Sequence, residues 1–343
     1  MPRALGSLAR RIPDAAPPGA FITSITPNTD YDFGGTAVTI VGAGFTGATS
    51  VGVGSALLTS LVVVDDNTIT GVTGDADEPT VAVNVNVSTP SGVITGYSMF
   101  TYWSPKSLSN LAHWLDAHLS VTITQVGFGD VSRWNDRSGN SRDVFAASGE
   151  EPKFLATAPP GSVVGNTVEF DDSTGTKWLK TDTFNAADAY TVFTVSNRVT
   201  GTNTVFYEHV SPGVPTKGFE VGYGSVGDSG VSPTYDTYLG DGSGISGQNV
   251  STINTGWELL RFRGGTGSSF TPEIFQGGSL VSSFSSDGFA GADSGTSDGL
   301  GIFGGGGDVA QHCEIIYYDR KLSDADCDLV EAYLDAKWGG ALI

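Results

Sequence analysis

Positive charge is scarce in this chain. Its 343 residues hold 17 Lys and Arg against 37 Asp and Glu, a formal net charge of −20. A protein that grips nucleic-acid phosphates needs a basic surface, so nucleic-acid partners are excluded. Long apolar runs are missing as well. No stretch approaches the roughly 20 residues of a membrane-spanning helix, so no membrane insertion is expected. The opening residues, Met1 to Pro13, lack the apolar centre of a secretory signal. Histidines are few, and His113, His118, His209 and His312 fall into no His-x-x-x-His spacing, which leaves a catalytic zinc without support. The two cysteines are Cys313, in a predicted strand, and Cys327, on a predicted helix. Two buried apolar thiols are the favoured reading. Whether they pair, and in which redox compartment, stays open.

What is abundant is glycine. The 48 glycines are about twice an average share, set among Val, Thr, Phe and Tyr, with only 16% charged residues. Glycine turns between β-branched and aromatic runs give an all-β protein with short loops. One helix stands out at the C-terminal end. Ser323 is an N-cap, Asp326 completes a capping-box variant, and Leu322 and Cys327 are placed as a hydrophobic staple. Asp324, Asp326 and Asp328 suit the positive end of the helix dipole. Lys337 lies in the last turn and Gly339 follows as the C′ residue. Cys327, Val330, Leu334 and Trp338 recur at three- and four-residue steps, giving one face to pack on a sheet.

Three segments follow along the chain. Residues 1–20 form a basic, Pro-rich arm with Arg3, Arg10 and Arg11, no acid before Asp14, and a stiff connector at Pro13, Pro17 and Pro18. A basic arm on an acidic body can find an acidic partner by itself. Residues 21–103 read as short strands. Val38 and Ile40 share one face with Thr39 and Val41 on the other, and Val81, Val83, Val85 and Val87 alternate with outward Asn84 and Asn86. The order Ile-x-x-Ile-x-Pro, Gly-Gly-Thr-x-Val-Thr-Ile-x-Gly-x-Gly-Phe and Phe-Thr-Tyr resembles the IPT/TIG immunoglobulin-like family. That resemblance implies an Ig-like β-sandwich used as a spacer or interaction module.

Residues 104–343 form a larger domain. It opens on Trp114-Leu-Asp-Ala and Trp134-Asn-Asp-Arg-Ser-Gly-Asn, and it closes on strand, tight turn and helix from Glu314 to Gly339. Both phrases resemble the concanavalin A-like lectin/glucanase group, in its laminin-G-like branch. The resemblance implies a jelly-roll sandwich with one C-terminal helix that sits on a surface and binds.

Catalysis finds little support. A retaining glycosidase needs two carboxylates about 5 Å apart, which on one strand means two or four residues apart. Glu208, Glu220 and Glu314 each stand alone in their strands, and the Glu-x-Asp-x-x-Glu strand of the glucanase branch is absent. No enzyme activity and no cofactor are expected. Calcium is the softer candidate, at Asp171, Asp172, Asp287, Asp293 and Asp298 in glycine-rich loops, against ordinary Asp/Gly turn chemistry. Glycans would find aromatic platforms at Tyr223, Tyr235, Tyr238 and Trp257 in a Gly/Ser/Asp/Tyr-rich stretch. Trp114, Trp134 and Trp338 read as framework.

The combination resembles the appendage proteins of tailed-phage virions. That resemblance implies a capsid decoration or head-fibre protein on the virion surface. Arg3, Arg10 and Arg11 would anchor it to the major capsid protein or another virion protein, and the jelly roll would be displayed toward surface glycans. Self-association as an oligomer, a tail or baseplate receptor-binding role, and a secreted bacterial carbohydrate-binding adhesin are the open alternatives.

Overall fold

The structure is a computed structural model. It describes residues 19–76, 82–171, 173, 175, 177–184, 189–200, 204–210, 217–223, 234–241, 245–247, 250–251, 256–265, 273–283, 298–304 and 309–339. The chain divides into two compact units between Ser107 and Leu108. It is all-β apart from one C-terminal α-helix among the described residues.

The first unit has nine strands: β1 (Phe21–Thr26), β2 (Thr29–Tyr31), β3 (Ala37–Ala43), β4 (Ser50–Val53), β5 (Ala56–Leu57), β6 (Thr59–Asp65), β7 (Thr68–Val72), β8 (Ala82–Thr89) and β9 (Gly92–Trp103). They form a four-stranded sheet β1-β3-β7-β6 and a five-stranded sheet β2-β9-β8-β4-β5. Period-two alternation decides which side chains meet between the sheets. Val38, Ile40, Ile69, Val85, Val87 and Phe100 are buried in one core. Thr39 and Asn84 are only half-buried, and Val41 is exposed. Val81 lies outside the described residues.

The second unit begins with β10 (Leu111–Asp116), β11 (Ile123–Val126), β12 (Asp130–Trp134), β13 (Val144–Phe145), β14 (Lys153–Leu155), β15 (Thr167–Asp171), β16 (Trp178–Phe184) and β17 (Ala189–Thr200). It continues with β18 (Thr204–Val210), β19 (Lys217–Tyr223), β20 (Thr234–Asp241), β21 (Ile245–Gly247), β22 (Val250–Ser251), β23 (Trp257–Gly265), β24 (Glu273–Gln276), β25 (Ser279–Ser283), β26 (Asp298–Gly304) and β27 (Val309–Tyr318). The helix α1 (Asp324–Trp338) follows. β27 is the spine of this jelly roll. β17 pairs along one edge of it, and β15 and then β10 share the other. β17 passes the sheet on to β23, β24 and β25. The opposite layer runs β16-β26-β18-β19-β20. Leu115, Trp134, Phe170, Val192, Phe262 and Ile315 belong to its core.

The helix starts where its cap predicts. Ser323 Oγ accepts from the Asp326 amide at 3.1 Å. The Asp326 carboxylate, expected to reach back to the cap, instead accepts from Arg320 Nη2 at 3.2 Å, where it meets a cation rather than a neutral amide. Gly339 has φ +90°, and a Cβ there would sit 2.8 Å from the Gly161 carbonyl carbon, so glycine is required by both conformation and space. Cys327, Val330, Leu334 and Trp338 are buried as the periodicity implies, joined by Tyr333 and Lys337.

Candidate functional site

The framework phrases meet at one place. β10 and β27 are antiparallel, and their register sets Asp116 opposite Glu314. Both carboxylates are fully buried. Sequence spacing along one strand missed this pair, because the two acids lie on different strands. Two facing carboxylates repel unless cations intervene. Lys337 supplies one from α1, its Nζ lying 2.7 Å from Asp116 Oδ2, 2.8 Å from Glu314 Oε2 and 3.1 Å from the Tyr333 hydroxyl. Arg137 supplies the other, with Nη1 2.5 Å from Asp116 Oδ2 and its guanidinium 3.9 Å from the centre of the Trp114 ring. Two indoles complete the set. Trp114 Nε1 donates to Glu314 Oε1 at 2.7 Å and Trp338 Nε1 to Glu314 Oε2 at 2.6 Å. Lys337, expected only in the last turn, is thus wholly buried, because the helix turns that face toward two acids.

Burial alone would raise Asp116, but Lys337 and Arg137 outweigh it and hold its carboxyl at about 2. Burial, with the Asp116 charge behind it, pushes Glu314 up to about 7 against the pull of Lys337. The sign follows by linkage. The Asp116 contribution is complete above its ordinary 3.8 and is lost as pH falls toward 2. The Glu314 contribution runs the other way: between its ordinary 4.5 and about 7 each rise in pH removes stability, because the folded state holds the proton more tightly. Two buried histidines of the same unit oppose this trend: burial holds His312 down to about 3 and lowers His113, so their contributions grow as pH rises toward the ordinary 6.5. The Glu314 effect is therefore read as a difference: in urea titrations, Glu314→Gln should gain stability relative to the unsubstituted chain as pH rises from about 4.5 to about 7. A difference that stays constant across that window would contradict this.

Beside this cluster, Asp136 clasps β10 to the loop after β12. Its carboxylate accepts from the Trp114 amide at 3.0 Å, the Ser138 amide at 2.8 Å, Ser138 Oγ at 2.7 Å and the Arg142 amide at 3.0 Å. Asn140 Nδ2 donates to the Leu111 and Ala112 carbonyls at 2.9 and 3.1 Å. Asp116, Asp136, Arg137, Glu314 and Lys337 are thus occupied by one another, by the indoles or by backbone.

The sequence candidates for ligands are dispersed. Arg3, Arg10 and Arg11, with Asp172, Asp287 and Asp293, lie outside the described residues. Asp171 ends β15, and its Oδ1 accepts from the Ser173 amide at 3.0 Å and Ser173 Oγ at 2.5 Å, which is turn chemistry. Asp298 opens β26, in register with Phe184. Among the described residues no group of three or more His, Cys, Asp or Glu is placed to hold a metal ion. Tyr223 and Tyr235 are register partners on β19 and β20, while Tyr238 stands opposite Glu220. Trp257 is half-buried on β23, a strand paired with β17 and β24, so these strands do not bring it to the tyrosines. Cys313 and Cys327 are free and buried, and burial raises both thiols, which makes them unreactive apolar groups.

Exposed aromatics were missed, among them Tyr97 of the first unit, 77% exposed, and Phe128. Phe128 is 98% exposed at the β11–β12 hairpin tip, between Gly127 at φ +62° and Gly129 at φ +86°. The signal was the Val-Gly-Phe-Gly-Asp turn itself, two glycines able to take left-handed conformations around a ring that no core needs. Another surface feature among the described residues is an open depression of about 280 Å³ where the β24–β25 turn meets α1, lined by Leu259, Gly277, Gly278, Glu331, Ala332 and Asp335. Burial raises Glu331, which pairs with Arg261 at 3.0 Å.

Residues 20–102 match the IPT/TIG domain family. No curated protein sequence matches the chain. Among solved structures, the chain is similar to the receptor-binding domain of botulinum neurotoxin mosaic serotype C/D, with TM-score 0.42 and 9% identity over 65% of this chain and 50% of that one. It is similar to the binding domain of Paraclostridial Mosquitocidal Protein 1, with TM-score 0.45 and 12% identity over 66% and 53%. A GH54 α-L-arabinofuranosidase gives TM-score 0.42 and 12% identity over 61% and 51%. The chain spans about half the length of each of these structures. No helix of the described residues is long and apolar enough to cross a membrane.

Proposed function

We propose that this is a non-enzymatic binding protein of a particle surface, most simply a capsid decoration or head-fibre protein of a tailed phage. The observation that carries the reading is the sealed framework. Asp116, Glu314, Arg137 and Lys337 neutralise one another out of solvent, so the acids set opposite each other in the second unit stand where no substrate reaches. Among the described residues, the unit presents Phe128 outward on a tight hairpin. In this reading the IPT/TIG domain and the arm hold the particle, and the jelly roll is displayed toward host-surface or environmental glycans. A tail or baseplate receptor-binding role is the close variant.

The test is cosedimentation of the full chain and a Δ1–20 form with protein-stripped capsids and tails. Saturable binding of the full chain that the truncation loses supports anchoring through the arm. If neither form sediments with any particle, the decoration reading falls and the adhesin alternative takes its place, to be examined on glycan arrays.

A further inference from the structure

We propose that the chain's own arm, residues 1–18, docks as an added strand along the open edge of β6 in the first unit. β6 ends its sheet and pairs with β7 alone among the described strands. All seven of its residues, Thr59–Asp65, are exposed or half-buried. Leu61 and Val63 lean on the core, whereas Val62 and Val64 are 54% and 58% exposed. An open edge with apolar side chains and no Lys or Pro invites pairing, and folded proteins usually guard such edges. Two bulges against β7 are its visible protection.

Charge, direction and length point to the arm as the guard. Residues 21–103 contain seven acids and no Lys, Arg or His, while the arm carries Arg3, Arg10 and Arg11. Asp65 and Asp66 stand exposed at the end of β6. Asp65 accepts the Asn67 amide at 2.8 Å, and Asp66 accepts the Gly44 and Thr46 amides at 3.2 and 3.1 Å and Thr46 Oγ1 at 2.6 Å. These donors are all neutral, so both negative charges remain for a cation. The register Phe21↔Ala43, Val41↔Thr68 and Thr68↔Asp65 puts the start of β1 at this same end of the sheet. The arm therefore leaves beside the acids. Crossing from β1 to β6 spans three strand spacings, about 14 Å. Residues 13–20, with Pro13, Pro17 and Pro18, reach about 25 Å when extended. That puts Arg10 and Arg11 within reach of Asp65 and Asp66, and the residues before them would run alongside β6, parallel to it.

Hydrogen exchange read by mass spectrometry on the full chain tests this. A peptide covering residues 58–67 should exchange at least about 10-fold more slowly in the full chain than in Δ1–18. Arg10→Glu with Arg11→Glu, and separately Val64→Lys, should each remove most of that protection without changing exchange in β3 or β8. High salt should weaken it, and dilution should not. Equal exchange in the full chain and Δ1–18 overturns the proposal. Protection that fades on dilution overturns it in favour of an arm donated by another copy. Docking on β6 and anchoring to a particle are alternative states of the arm, so a particle that binds through the arm should release the protection of residues 58–67. Cosedimentation reads anchoring alone, and its failure leaves the docking result standing.

Discussion

Lys337→Met is expected to destabilise the second unit by about 3–5 kcal/mol, because it leaves buried carboxylates without their shared cation. Methionine fills nearly the same volume, so little of the loss would come from a cavity. Asp116 keeps Arg137, whereas Glu314 keeps only the two indole donors. The deficit should grow as pH is raised from about 7 to about 9, since Glu314 then gives up its proton beside Lys337 in the unsubstituted chain, whereas the variant must keep the proton or bury the charge without that cation. Lys337→Met combined with Glu314→Gln should recover part of the loss at neutral pH, as removing both partners costs less than removing one. Urea unfolding followed by tryptophan fluorescence reads both effects, Trp114 and Trp338 being in the cluster. A loss under about 1 kcal/mol would mean that the lysine does not hold the helix to the sheet.

Asp136→Ala is the second large effect, a loss of about 3 kcal/mol. Despite burial, His113 and the hydrogen bonds from Ser138 and Arg142 keep this carboxyl below its usual range. Removing it takes the carboxylate acceptor from three backbone amides and from Ser138 Oγ, which keeps the Ala112 carbonyl at 3.3 Å. Asp136→Asn retains the shape and one acceptor oxygen, so it should lose about half as much. Equal losses for the two variants would show that the negative charge, and not the retained shape or acceptor oxygen, decides stability there.

How much of this was legible in the sequence differs by element. The helix was, because its signals are local: a cap at Ser323, an apolar step of three and four residues, and a glycine at position 339. The first unit's strands were, because Val38, Ile40, Val83, Val85 and Val87 alternate. The ion cluster was not. Asp116 and Glu314 become neighbours only through the register of β10 on β27, and no local pattern encodes a pairing across most of a domain. For the same reason Lys337 read as an ordinary helix-end cation, when its surroundings come from strands far off in sequence. The tyrosine candidates illustrate the converse. Tyr223 and Tyr235 do fall opposite each other on adjacent strands, while Trp257, near them in the chain, belongs to a strand paired elsewhere.

The same cluster sets a timetable for biosynthesis. Trp114 and Glu314 are separated by 200 positions, and Asp116 and Lys337 by 221. A ribosome adding about 5–20 residues per second needs roughly 10–45 s to make that stretch. Throughout that interval Asp116 has Arg137 but neither its lysine nor its facing acid, and the first strand of the jelly roll has no β27 to lie against. The domain cannot close until its last helix emerges. A message truncated before that helix would yield a chain exposed to chaperones and proteases instead of a half-working one.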